Sequence, residues 1–445
     1  MSAALFKIGI ACPVYCTCSG EVPALAAILR RGIDGINDLC HSLAIEAVYP
    51  PPRSGVPSRG RSLPHSPNRP SAAFRRLALA LSTALLCAGL PQLAAANPKM
   101  VVDVASGRVI AHQEAFRKWY PASLTKLMTI YVTFEALKAG KVTLETPVVM
   151  SRKAVDQPPS KMFVKPGATL TIDAALKILV VKSANDVAMG LAETVGGGSA
   201  DQFVAMMNDA AQRLGMTSSH FINPHGLPGK GQYTTARDLA VLALTLRRNF
   251  PQYASYFALE GITTGAKDYP NYNMLIGRFN GADGMKTGFI CASGFNQVSS
   301  ATRNGRTVVS VVLGSDSLAG RAEESAALLQ AALTEDPGKG VPLSSLAPYG
   351  PDRDEVVDIS ADICNPKAAK VRSEGRDEQG RMMIHSPYIA EREAPPAFSM
   401  AEIVSPPEPA KPAADAGTAP GRPAKAGDVR SGASVPVPIP RPTAL

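Results

Sequence analysis

The run GFNQVSSATRNGRTVVSVVLGS, residues 294–315, restricts the fold more than any other part of this 445-residue chain. Its residues alternate in character on both sides of Asn304-Gly305, a dipeptide suited to a two-residue hairpin turn, so it predicts two antiparallel strands. GMKTGFI, just upstream, predicts a third. A second hairpin is predicted far away, at MVVDVASGRVIAHQE, where Val101, Val102, Val104, Val109 and Ile110 flank a turn at Ser106-Gly107. Helical patterns fill the interval. Strands at both ends and helices in the middle predict one sheet built from two distant segments with a helical insertion, a mixed α and β domain of about 240 residues.

Within that insertion, Leu124, Leu127, Met128, Tyr131, Phe134 and Leu137 recur at steps of three and four, and Gly140 ends the run. DAALKILVVKSANDVAMGLAETVGG (173–197), SADQFVAMMNDAAQRLGM (199–216) and TTARDLAVLALTLRRNF (234–250) predict further helices, the last capped by Thr234 or Thr235. The stretch 148–172 is broken by Pro158, Pro159 and Pro166-Gly167 and predicts loops and short strands. SLAGRAEESAALLQAAL predicts a closing helix that ends near Leu333.

The flanks differ in kind. Arg75 and Arg76, an apolar run from Leu77 to Leu90, and Ala94-Ala95-Ala96 before Asn97 form the pattern of a cleaved secretory signal peptide over residues 71–96. A buried core helix is the alternative; the run is short for a membrane span. Residues 1–70 hold Cys12, Cys16, Cys18 and Cys40 and a Pro-, Ser- and Arg-rich stretch from Pro50 to Pro70. They read as a disordered extension from a start codon assigned too far upstream, and the mature N-terminus is expected near Asn97. No histidine or further cysteine pair completes a metal-ligand set there. Nine of the 46 Lys and Arg and four of the 37 Asp and Glu lie in 1–96, which leaves 37 against 33 in the remainder and lowers the net charge from +9 to +4. That is no argument for nucleic acid. Only Cys291 and Cys364 follow Asn97, an even pair in a chain expected in an oxidising compartment, readable as a disulfide or as two separate buried thiols. The globular domain is placed at 97–335, an ambiguous extension at 336–392 in which RMMIHSPYI is a candidate added strand, and a disordered Pro- and Ala-rich tail at 393–445. No amphipathic helix closes the chain as a membrane anchor.

A Ser-x-x-Lys pair such as Ser123 and Lys126 arises by chance about once in a chain of this length. Here it is followed by KSAND, with Ser183 and Asn185, and by GMKTGF, with Lys286, Thr287 and Gly288, at 60 and 163 residues from Ser123. Three such elements in this order occur in penicillin-binding proteins and class A β-lactamases. A serine hydroxyl needs a base, and Lys126, three positions on, projects on nearly the same helix face. Lysine can serve only when neutral, against an ordinary pKa of about 10.4, so burial and a second ammonium are required. Ser123 at a helix N-terminus also sits where backbone amides favour negative charge.

With YPASLTKLMT, VKSANDVA, MNDAAQRLGM, NPHGLP, TTARDLA, YPNYNMLIG and GADGMKTGF, the segment from Lys99 to about Leu333 resembles the serine-type D-alanyl-D-alanine carboxypeptidases, the low-molecular-mass penicillin-binding proteins. The resemblance implies a penicillin-binding protein/β-lactamase-like fold, an antiparallel sheet flanked by helices plus a mostly helical subdomain. It implies an acyl-enzyme on Ser123, Lys126 as base with Lys286 as the second charge, and Ser183 relaying a proton to the leaving D-alanine. By the same resemblance Asn185 holds the peptide and Lys286 and Thr287, on an edge strand, receive its terminal carboxylate. Small Gly288 lets substrate approach, and the amides of Ser123 and Phe289 form an oxyanion hole. Arg321 falls where relatives carry an arginine near the carboxylate site; an ordinary surface arginine is the other reading. The implied substrate is the peptidoglycan pentapeptide stem, with β-lactams as covalent inhibitors, no metal or cofactor, and an exported, periplasmic location. His112, His220 and His225 show no metal spacing and read as structural or solvent-facing. A β-lactamase or a cross-link endopeptidase on the same fold remains the close alternative. A non-catalytic β-lactam sensor or wall-binding module is a more distant one, since a sensor needs membrane helices and none is read after Leu90.

Overall fold

The computed structural model describes residues 97–336, 338, 340–367 and 382–406. The expected extension, the signal peptide and most of the expected tail lie outside the described residues.

Along the chain, β1 (Lys99–Asp103) and β2 (Val109–Gln113) form the first hairpin, followed by a 3-10 turn at Ala122–Leu124 and helix α1 (Thr125–Lys138). A small antiparallel pair, β3 (Pro147–Val149) and β4 (Thr169–Thr171), precedes α2 (Ile172–Val181), α3 (Asn185–Val195), α4 (Ala200–Arg213) and α5 (Ala236–Asn249). Then come β5 (Gly261–Thr263), β6 (Asp268–Pro270), the long strands β7 (Ala282–Ile290), β8 (Gly294–Arg303) and β9 (Arg306–Ser315), helix α6 (Leu318–Thr334) and β10 (Phe398–Met400). The main sheet runs β2-β1-β9-β8-β7 with antiparallel neighbours throughout, so the two predicted hairpins meet through the β1–β9 pairing and β7 lies at an edge.

This sheet is covered on both faces, which explains why TVVSVV in β9 is buried along almost its whole length. On one face Val101, Ala301 and Val308 pack against Ala322, Ala326 and Leu329 of α6. On the other, Met100, Val102, Val309 and Val311 join a larger core with the helical insertion. Helix α1 is the centre of that core. Its apolar stripe is only part of what it buries: Thr125, Lys126, Thr129 and Thr133 are buried too, the threonines being satisfied by Gln232 Nε2, the Pro224 carbonyl and the Thr129 carbonyl respectively.

Two expectations are corrected. The helix expected over 173–197 is two helices, because Ser183 adopts a left-handed backbone with φ +60° and ends the first at Lys182. The apolar period continues through the break, so only the backbone reveals it. Second, structure continues past Glu393. Residues 382–389 form no strand beyond a bridge at Met382; the added strand is β10, parallel to β5. Arg392 anchors it, donating to Glu260 Oε2 at 2.9 Å and to the Ile276 carbonyl at 2.7 Å, and Val404 exchanges hydrogen bonds with Thr169 of β4.

The segment read as an ambiguous extension runs along the main sheet. Val109 N–H donates to the Val341 carbonyl and Leu343 N–H to the Gly107 carbonyl, and Cys364 is disulfide-bonded to Cys291 in the turn after β7. Of the two readings of this cysteine pair, the disulfide is the one the structure shows.

Candidate active site

The turn that carries Ser123 is held from three sides. Trp119, the single tryptophan, is buried; its Nε1 donates to the Ser293 carbonyl at 2.9 Å and its backbone pairs with Thr234, which fixes the chain two residues before Pro121. Below the turn passes Gly226, in a left-handed conformation with φ +89°, where any Cβ would come within 1.7 Å of the Ala122 carbonyl oxygen. Across it runs β7, whose Gly288 leaves 3.0 Å between a hypothetical Cβ and the Ser123 nitrogen. Only glycine allows the approach at Gly226, and at Gly288 a side chain would crowd the Ser123 turn. Ala122 itself has φ +46°, and Ser183 and Phe163 also hold positive φ.

Lys126, one turn into the helix, is fully buried, with Nζ 3.1 Å from Ser123 Oγ, 2.7 Å from Asn185 Oδ1 and 2.9 Å from the His225 carbonyl oxygen. Asn185 is oriented by its own Nδ2, which donates to the Pro158 carbonyl at 2.9 Å, so Oδ1 is the atom that faces the lysine. All three oxygens are placed to accept from the lysine nitrogen; when the amine is neutral it keeps two N–H donors for the two carbonyl oxygens and its lone pair can take the Ser123 proton. Burial first, and then the Lys286 ammonium, push the pKa of Lys126 well below its ordinary value, while the Asp186 carboxylate works the other way.

Lys286 is buried on edge strand β7, donates to the Thr287 carbonyl at 2.8 Å, and is pushed down to about 7 by burial and by the Arg321 guanidinium. Arg321 in α6 is buried rather than at the surface, and its Nη2 donates to the Tyr272 carbonyl at 3.2 Å. Its surface reading is therefore excluded. Ser183 Oγ is buried and makes no hydrogen bond among the described residues, so it can both donate and accept toward a substrate. Thr287 is buried, and Phe289 is exposed with its ring tilted against Phe295, centroids 4.3 Å apart. The structure thus brings Ser123, Lys126, Asn185, Lys286 and Gly288 together around one turn, with Ser183 on the wall beside Asn185 and Arg321 behind Lys286.

Several contributing residues carried no role in the sequence. Asp186 is wholly buried; its carboxylate accepts from the amides of Met162 at 2.8 Å, Phe163 at 3.2 Å and Val187 at 2.9 Å, which ties the 158–163 loop to α3. Burial raises its pKa against the pull of those amides. His225 is buried and held neutral, its pKa pushed to about 3 by burial and by Lys126, and its carbonyl takes the lysine proton donor. Asn223 shapes this loop by accepting from His225 N and Gly226 N and donating to the Leu227 carbonyl. Asn273 Nδ2 donates to the Gly284 carbonyl and steadies the start of β7. NPHGLP and YPNYNMLIG are the strings that hold Asn223, His225 and Asn273, and a shared landmark was their only signal.

An edge strand lying against a Ser-Lys helix start, with an antiparallel sheet and a helical subdomain, defines the penicillin-binding-protein fold. A family model described as D-alanyl-D-alanine carboxypeptidase matches residues 88–317. The chain is 38% identical over 237 residues to D-alanyl-D-alanine carboxypeptidase DacC of Escherichia coli, covering 52% of this chain and 59% of that protein. It is 36% identical over 248 residues to DacA of the same organism, covering 54% and 61%. Among solved structures it is similar to the D-alanyl-D-alanine carboxypeptidase DacD from Francisella tularensis, with TM-score 0.52, 30% identity and coverage of 60% of this chain and 76% of that one. It is also similar to penicillin binding protein 6B from Escherichia coli, with TM-score 0.50, 34% identity and coverage of 54% and 78%. The chain therefore belongs to the D-alanyl-D-alanine carboxypeptidase family. It spans about three-fifths of the length of the two curated relatives named here.

Proposed function

We propose that this chain is a serine-type D-Ala-D-Ala carboxypeptidase that removes the terminal D-alanine of peptidoglycan pentapeptide stems. The observation that carries this reading is the Lys126 amine, buried beside a second ammonium and bonded to two oxygens that only accept, 3.1 Å from Ser123 Oγ. Ser123 Oγ attacks the carbonyl carbon of the penultimate D-alanine while its proton passes to Lys126. The amides of Ser123 and Phe289 stabilise the oxyanion. On collapse the peptide C–N bond breaks, the departing amine takes the Ser183 hydroxyl proton while Ser183 recovers the proton that Lys126 took from Ser123, and an ester to Ser123 remains with Lys126 neutral again. Water cleaves that ester, with Lys126 taking and returning the proton. Lys286, Thr287 and Arg321 receive the terminal carboxylate, and Asn185 holds the stem.

β-Lactams, which resemble the D-Ala-D-Ala terminus, should acylate the same serine and stay there. Asp186, the carboxylate beside Asn185, supports this over a β-lactamase, since three amides engage it and it is not poised as a hydrolytic base. Export to an oxidising compartment is part of the proposal, supported by the Cys291–Cys364 bond. The test is D-alanine release from a D-Ala-D-Ala-ended peptide by the full chain and by Ser123→Ala: a loss of about 10³-fold or more is expected, equal rates overturn the serine mechanism, and rapid turnover of penicillin overturns the ranking against a β-lactamase.

A further inference from the structure

Lys182 is the last residue before Ser183, in the break between α2 and α3, and Tyr272 lies in the loop between β6 and β7. The Lys182 ammonium donates to the Tyr272 hydroxyl at 3.0 Å and sits 5.5 and 5.7 Å from the ring centroids of Tyr272 and Tyr269. At its other end Tyr272 is tied to the sheet side, since its carbonyl accepts from Arg321, the cation beside Lys286. A side-chain bridge thus joins the break beside Ser183 to the β6–β7 loop, which Arg321 of α6 holds at its other end. Tyr272 is 43% exposed, so the bridge lies at the surface rather than in the core.

We propose that the Lys182–Tyr272 bridge, backed by Tyr269, walls the leaving-group end of the groove, admitting a single terminal amino acid and obstructing a second peptide stem. The inference rests on the carboxypeptidase reading and sets its substrate class. When D-alanine leaves, nothing continues beyond the carboxylate held near Lys286, Thr287 and Arg321. In a cross-link, the amine that leaves belongs to a second stem, which must run out of the groove past Arg321, where Tyr272 is anchored. Discrimination comes from obstruction of the larger leaving group rather than from better contacts to the smaller one. The bridge makes the chain a carboxypeptidase in preference to a cross-link endopeptidase.

The experiment measures, side by side, D-alanine release from a monomeric pentapeptide stem and cleavage of a D-alanine-linked dimer of stems. Wild type, Lys182→Ala and Tyr272→Ala are compared, with Ser123→Ala as the blank. The dimer-to-monomer rate ratio should rise about tenfold or more in both variants. A ratio that stays within about twofold of wild type, or one that falls, overturns the bridge as a wall while leaving the carboxypeptidase reading in place. A wild type that cleaves the dimer but releases no D-alanine from the monomer overturns both.

Discussion

Lys126 is the residue on which the chemistry turns, because the same burial that makes it a base also makes its charged form costly. The nearby Lys286 charge adds to that cost. The sign follows directly: acylation needs Lys126 neutral, Lys286 lowers its proton affinity, and removing that charge raises it again. In Lys286→Met the acid limb of the kcat/KM profile for D-alanine release should therefore move to higher pH, while staying below the ordinary lysine value because burial remains. The absolute rate should fall roughly 10- to 100-fold through loss of a carboxylate receptor. A limb that stays in place or moves down would remove Lys286 as the tuning charge. The roles proposed for Ser123, Lys126, Ser183, Asn185 and Lys286 could be put forward from the sequence because each belongs to a short string whose chemistry is local. Those of Asp186 and His225 could not, since what they do depends on amides and an ammonium brought from elsewhere: His225 meets Lys126 across 99 residues.

At the scale of elements, Ser123 sits on a 3-10 turn wedged between a loop and an edge strand. The wedge depends on Gly226, whose positive φ and contact with the Ala122 carbonyl leave no room for a side chain. Gly226→Ala should destabilise the fold by about 2–4 kcal/mol through strain and overpacking together, read as a lower urea midpoint with a lowered rate of β-lactam acylation. A midpoint unchanged within error would mean that the loop can move aside. The strands were legible because alternation and the Asn304-Gly305 turn specify them locally. The break at Ser183 was hidden for the opposite reason: helix periodicity persists across it, and a left-handed serine leaves no mark in a hydrophobic pattern. The same limit applies to β10, three residues whose pairing with β5 is settled by Arg392 and Glu260 rather than by strand propensity.

For the molecule as a whole, the segment after α6 ties distant parts of the described fold together, and its firmest link is Cys291–Cys364, closing 73 residues next to the end of β7. Loop-closure entropy puts the worth of such a bond at about 4 kcal/mol. Cys364→Ser should lower the urea midpoint accordingly, and reductant should lower the wild type to the same value but leave the variant unmoved. A wild type indifferent to reductant would show that the bond is not formed in solution. By itself the sequence determined the family and the hairpins at both ends of the domain, and it named the candidate reacting groups, since these follow from short strings and local periodicity. Only the tertiary structure decided that Lys126 is ringed by acceptors and held toward its neutral form, that Arg321 is buried, that the cysteines are joined, and that Lys182 reaches Tyr272. Each of these is a contact between residues remote in the chain, and burial, charge proximity and bridging exist only once the backbone has brought such residues within a few ångströms.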